Sequence, residues 1–144
     1  MSKYNIERFL EAQNKPNSGY SQALQEIKNG EKVGHWIWYI FPQLKSLGFS
    51  DIAKFYGIEN REEAEEYLKN SILNQRIHEI SETLLTHSNK SALEILGRPD
   101  DLKVCSSMTL FNIISPNDIF AKVLEVFYQG KGCEKTISEI CSKK

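Results

Sequence analysis

The stretch PDDLKVCSSMTLFNII, residues 99–114, decides the fold. Pro99 can occupy the first helical position, and Asp100 and Asp101 place acid in the first turn, where it complements the helix dipole. The helix that follows is apolar on nearly every side, which predicts a central position. A helix so apolar has little cause to carry Lys103, Ser106, Ser107 and Thr109 unless they meet polar partners. At about 100° per residue Lys103 falls between Ser106 and Ser107 on one face, with Asp100 about 60° away. Two readings follow. Either Ser and Thr bond to carbonyls one turn back and Lys103 pairs with an acid, or this face lines a pocket.

Working outward, apolar residues recur at the helical spacing and strict alternation is hard to find, so the expected fold is all-α. Ile72, Leu73, Ile77, Ile80, Leu84 and Leu85 make the longest regular stripe. Ser91 is placed to start a short helix that Gly97 closes, Ser50 and Asn60 are placed to cap two others, and Asn29-Gly30 is suited to end a helix through Leu24 and Ile27. Pro116 is read as starting a helix with Ile119, Phe120, Val123, Leu124 and Phe127 facing inward. Glu31 to Gly48 is the least ordinary part. Its HWIWYIFPQ fits a buried strand as easily as a short helix, with Pro42 marking an end in either case.

A chain of 144 residues and 16.6 kDa should expose roughly 7,600 Å² when folded, so one compact multihelical domain is expected. Its span is 1–144, with a core over about 4–129 and a short C-terminal helix at 133–141. Eighteen basic against nineteen acidic residues leave a net charge of −1, and no basic block suggests nucleic acid or anionic lipid as a partner. The longest apolar run, Trp36 to Phe41, is far short of the about 20 residues a membrane helix needs. Residues 1–15 carry charges throughout, unlike a secretory signal, so a cytoplasmic location is expected. Three cysteines, Cys105, Cys133 and Cys141, without a C-x-x-C pair, disfavour both a disulfide framework and structural zinc. His78-Glu79 opens like a zinc-protease helix, but Glu82 stands where the second His is needed. No metal and no cofactor is expected. Neither common phosphate loop motif is present.

Two segments carry the chemistry. EIKNGEKVGHWIWYIFPQLKSLG, residues 26–48, sets Glu26, Lys32, His35 and Gln43 around a dense aromatic block. Trp36, Trp38 and Phe41 can be core anchors, or His35 and Trp36 can meet a planar heterocycle whose phosphate a lysine holds. The second segment is Asp100 to Phe111. Together they nominate Glu26, Asp101 and His35 as catalytic residues, and Lys32, Trp36, Gln43, Lys103, Ser106 and Ser107 as ligand-binding ones. A carboxylate and an aromatic without metal suit cleavage of an N-glycosidic bond. The alternative is a non-catalytic protein interaction module with the aromatic block as core.

The pattern GxKxxHWxWxxFPQ (Gly30, Lys32, His35, Trp36, Trp38, Phe41, Pro42, Gln43), the GxS of Gly48 and Ser50, the YGI of Tyr56 to Ile58 and the DDLKxxSSMTLF of Asp100 to Phe111 resemble the bacterial family catalogued as domain of unknown function 1810. The likeness runs from about Phe9 to Phe127. It implies a compact multihelical fold and supplies no established activity. The label calpastatin-like, attached to some relatives, sits poorly with a composition suited to a preformed core, because calpain-inhibiting segments are disordered until bound. In size and helical character the family is similar to the NADAR group, associated with ADP-ribose-type substrates and a site of Glu, Trp and Asp. That analogy points to a nucleotide-like small molecule as ligand.

Overall fold

The computed structural model describes residues 4–142. Among these, the helices are α1 (Glu7–Gln13), α2 (Tyr20–Lys28), α3 (Ile37–Ile40), α4 (Asp51–Phe55), α5 (Arg61–Lys69), α6 (Ser71–Leu85), α7 (Ala92–Leu96), α8 (Asp100–Ile114), α9 (Ile119–Tyr128) and α10 (Glu134–Ser142), with a 3-10 turn at Lys45–Leu47. The fold is all-α. The described residues contain no β-strand, and extended pairing is confined to an isolated bridge between Leu44 and Ile58. The molecule exposes 7865 Å², close to what its mass requires of one domain.

The caps act as their residue types dictate. Ser50 accepts from the Ala53 N–H at 3.2 Å, Asn60 from Glu63 at 3.0 Å, and Ser91 and Glu94 form a reciprocal capping box. Gly97 then turns the chain at φ 78°, a conformation glycine adopts without steric cost. Two starts differ from expectation. Pro99 lies just before α8, its carbonyl accepting from Leu102 and Lys103, so the helix begins at Asp100. Likewise α9 begins at Ile119 instead of Pro116, because Asn117 takes φ 63° and Asp118 caps the next N–H at 2.7 Å. The ambiguous HWIWYIFPQ resolves as a single helical turn, α3, ended by Phe41, which leaves the helical region at φ −123° and ψ 72° before Pro42.

Helix α8 is the axis, packed against α3, α5, α7, α9 and α10. Val104, Met108, Leu110 and Phe111 are fully buried. A chain of ring contacts crosses the core from Phe9 to Tyr67 (5.0 Å), Tyr67 to Phe111 (5.2 Å) and Phe111 to Phe120 (5.7 Å). These distances suit tilted and edge-on aromatic packing. Arg8 secures α1 from outside. It pairs with Glu63 at 2.7 Å and donates to the carbonyls of Phe55 and Gly57, which fixes the loop leading to Ile58. His78, set aside above as a metal ligand, bonds the Asn74 carbonyl through Nδ1 and the Asp118 carboxylate through Nε2, joining α6 to the start of α9. No helix among the described residues is long and apolar enough to cross a membrane.

Candidate functional site

Helix α2 delivers Glu26 to the underside of the 31–36 loop. Its carboxylate accepts from the N–H groups of Val33 (2.7 Å) and Gly34 (2.9 Å), the Trp36 indole (2.9 Å) and the Gln22 amide (2.8 Å). Burial alone would raise its pKa, but these donors outweigh it and hold the group at about 2. Glu26 is an ionised cap for a loop. Lys32 closes the same loop from above, with Nζ 2.6 Å from Asp100 and 5.0 Å from the Trp36 ring centre, while its N–H bonds the Ile95 carbonyl at 2.7 Å. Trp36 is 1% exposed and packs on Phe41. No face of it is open to a ligand. His35 is exposed on the loop.

The start of α8 is more open. Asp101 is buried, both its oxygens receive Arg98 Nε at 3.1 Å, and its carbonyl receives the Tyr128 hydroxyl at 2.6 Å. Asp100 lies between Lys32 and Lys103, the latter at 3.9 Å, and Lys103 rests 5.2 Å from the centre of the Trp38 ring. The first of the two readings of this helix therefore describes part of it: Ser106 donates to Leu102 at 3.2 Å, Thr109 to Cys105 at 2.7 Å, and Lys103 has its acid. Ser107 is fully enclosed and its hydroxyl has no partner.

The second reading also holds in part. A cleft of about 760 Å³ opens beside α8, walled by the 43–49 segment, by Pro99, Leu102, Lys103, Cys105 and Ser106, and by Cys133, Glu134 and Lys135 at the start of α10. Such a volume suits a small molecule, the usual range being about 300–1,000 Å³. Gln43 reaches the cleft because the backbone on either side of it is held. Ile58 N–H bonds the Gln43 carbonyl at 2.8 Å, and Lys45 N–H bonds Ile58 at 2.8 Å. Gly57 permits this approach, since a Cβ there would lie 2.4 Å from Lys45 Cα.

Gln43, Lys103 and Ser106 thus come together across the two segments. Glu26, Lys32, His35, Trp36, Asp101 and Ser107 do not line the cleft. Sequence reasoning missed Phe49, Lys135 and Cys133. Phe49 is 90% exposed, and its signal was a large aromatic between Gly48 and the capping Ser50. Cys133 directly precedes a helix that starts with Glu134, which is where a capping side chain stands. Among the described residues no group of three or more His, Cys, Asp or Glu side chains is gathered for a metal.

No curated protein matches this chain. A solved structure does, that of the conserved hypothetical protein Rv1873 from Mycobacterium tuberculosis. It is 39% identical, with a TM-score of 0.92 over 97% of this chain and 99% of that one. The model of the family described as "Protein of unknown function (DUF1810)" matches residues 3–140. With that match over nearly its whole length, the chain belongs to the DUF1810 family.

Proposed function

We propose that this protein binds a nucleotide-like small molecule, of ADP-ribose type, in the cleft between the 43–49 segment, α8 and the start of α10. The observation that carries the reading is that Gln43, from the aromatic segment, lines the same 760 Å³ space as Lys103 and Ser106 of α8. Each has a matching role. Phe49 offers a ring face to a heterocycle, Gln43 and Ser106 offer hydrogen bonds, and Lys103 and Lys135 offer charge to a phosphate. Binding is better supported than hydrolysis of an N-glycosidic bond. Glu26 and Asp101, the carboxylates expected to act on a substrate, are engaged by Trp36 and Arg98 away from the cleft, and the carboxylate on its wall is Glu134.

A panel of nucleosides, nucleotides and ADP-ribose at millimolar concentration tests this, because a ligand of the native state raises the melting temperature by mass action. A rise is expected with phosphate-bearing members. Since Lys103 rests on the Trp38 indole, drawing it toward phosphate should also change tryptophan fluorescence. No shift across the panel overturns the reading. That outcome would favour the interaction module, to which the exposure of Phe49 (90%) and Leu102 (53%), both lining the cleft, also speaks.

A further inference from the structure

Helix α8 and the start of α10 meet at one hydroxyl. Thr109 Oγ1 donates to the Cys105 carbonyl at 2.7 Å and accepts the Cys133 N–H at 2.8 Å, so the backbones of two cysteines are held on either side of a single atom. Their sulfurs cross over in the same place. The Cys105 thiol donates to the carbonyl of Lys131, two residues before Cys133, at 3.7 Å. In return the Cys133 sulfur accepts from the hydroxyl of Ser106, the residue after Cys105, at 3.3 Å. Each sulfur thus touches a near chain neighbour of the other cysteine. Burial raises the Cys105 thiol above its ordinary value, and the nearby Cys133 adds to the effect.

In a sealed core this proximity would be packing alone. Both residues are instead half-buried, both are free thiols, and both line the 760 Å³ cleft. A disulfide asks for Cα atoms about 4.4–6.8 Å apart, so its partners must already be neighbours and have room to adjust. The segment leading to Cys133 has that room. Gln129 and Gly130 take φ 59° and 76°, and a side-chain carbon at Gly130 would meet nothing within 4 Å.

We infer that Cys105 and Cys133 form a reversible disulfide that clamps the start of α10 to α8 along the cleft wall. The oxidant is a low-molecular-weight disulfide of the glutathione kind. One cysteine, as thiolate, bonds to a sulfur of the oxidant, whose S–S bond breaks to release one glutathione thiolate. The second cysteine thiolate bonds to the first cysteine's sulfur, which breaks the mixed disulfide and releases the second glutathione thiolate. Two cysteine thiols are oxidised, one glutathione disulfide is reduced to two thiols, and the protons pass between them through water. The bond takes the Cys133 sulfur away from the Ser106 hydroxyl and fixes the wall that both line, so the redox state sets how the cleft receives a ligand. This consequence for ligand rests on the reading that the cleft takes a small molecule.

The unsubstituted protein, dilute enough to suppress pairing between chains, is equilibrated with glutathione at about ten parts reduced to one part oxidised. Intact mass and non-reducing peptide mapping follow the product. Most of the chain should lose two hydrogens, with the Cys105 and Cys133 peptides joined and Cys141 outside the bond. Cys105→Ser and Cys133→Ser should each abolish the internal bond, and Cys141→Ser should leave it unchanged. Free thiols at both Cys105 and Cys133 in that buffer, or a bond that runs through Cys141, overturn the inference. The oxidised protein should then show a nucleotide melting shift no more than half that of the reduced protein. Equal shifts in the two states overturn the control of the cleft. No shift in either state refutes the binding reading and leaves the mass measurement to decide the disulfide.

Discussion

The molecule contains the same arrangement twice, once closed and once open. Lys32 lies over Trp36 and Lys103 over Trp38, at 5.0 and 5.2 Å, and both lysines face Asp100. At Lys32 the ion pair is 2.6 Å long and the lysine side chain 6% exposed; at Lys103 it is 3.9 Å and 26%. The difference comes from Glu26, which draws Val33, Gly34 and the Trp36 indole onto one carboxylate and so presses Lys32 against α8. Nothing equivalent ties down Trp38, whose indole N–H is buried without a partner. Identical residue types thus build a structural knot where every polar group is matched, and leave a cation at the edge of a cleft where the matching stops.

The largest effect expected from this comparison is at the knot. Glu26→Ala strands the buried Trp36 indole N–H and two backbone N–H groups, which should lower stability in urea unfolding by about 3 to 5 kcal/mol. A loss under about 1 kcal/mol would mean that the loop holds without its carboxylate, and the contrast between the two halves would fail.

Acid titration should give a smaller and directional effect. The Glu26 carboxyl stands at about 2 in the folded protein against an ordinary 4.5, so folding favours its ionised form. Its contribution is fully present above about pH 4.5 and is lost as pH falls from there toward 2. Glu26→Gln should therefore cost stability at pH 7 and flatten the decline between about pH 4.5 and 2. An unchanged slope in that window would show that other carboxylates govern acid unfolding.

Much of this architecture was legible in the sequence. Capping by Ser50, Asn60 and Ser91 depends on neighbours within three residues, and the apolar stripes of α6 and α8 repeat within one element, so local spacing carried them. The aromatic segment was legible only as unusual. Whether Trp36 stacks on a ligand or fills the core depends on Glu26, ten residues away across a loop, and no period reports that contact. Gln43, Lys103 and Ser106 were found because polar residues stood out in apolar surroundings. Phe49 and Cys133 were missed for the converse reason: what matters at each is the space in front of it, which long-range packing creates.

The two lysines separate the halves more finely. Removing Lys32 takes the closer cation from the partly buried Asp100 carboxylate, so Lys32→Met should cost about 2 kcal/mol. Lys103→Met breaks a longer, wetter pair and should cost under about 1 kcal/mol. For ligand the order should reverse, with Lys103→Met lowering a nucleotide-induced melting shift more at low salt than at high salt, because the phosphate contact is electrostatic. Equal stability losses for the two variants in urea would remove the distinction drawn between them.

The smallest expected change in stability is at Phe49, and it sharpens the comparison most. A ring 90% exposed contributes little to the native state, so Phe49→Ser should alter unfolding by no more than about 0.5 kcal/mol. Its value would lie in what it does to ligand. If the ring stacks on a heterocycle, the substitution should weaken binding by about 1 to 3 kcal/mol, or roughly 5- to 150-fold, with the melting shift reduced to match. The corresponding change at Trp36 could not be read this way, because a tryptophan 1% exposed is part of the core and its loss would unfold the site along with the loop. A Phe49→Ser protein with unchanged stability and unchanged ligand affinity would place the bound heterocycle elsewhere on the cleft wall, against Pro99 and Leu102.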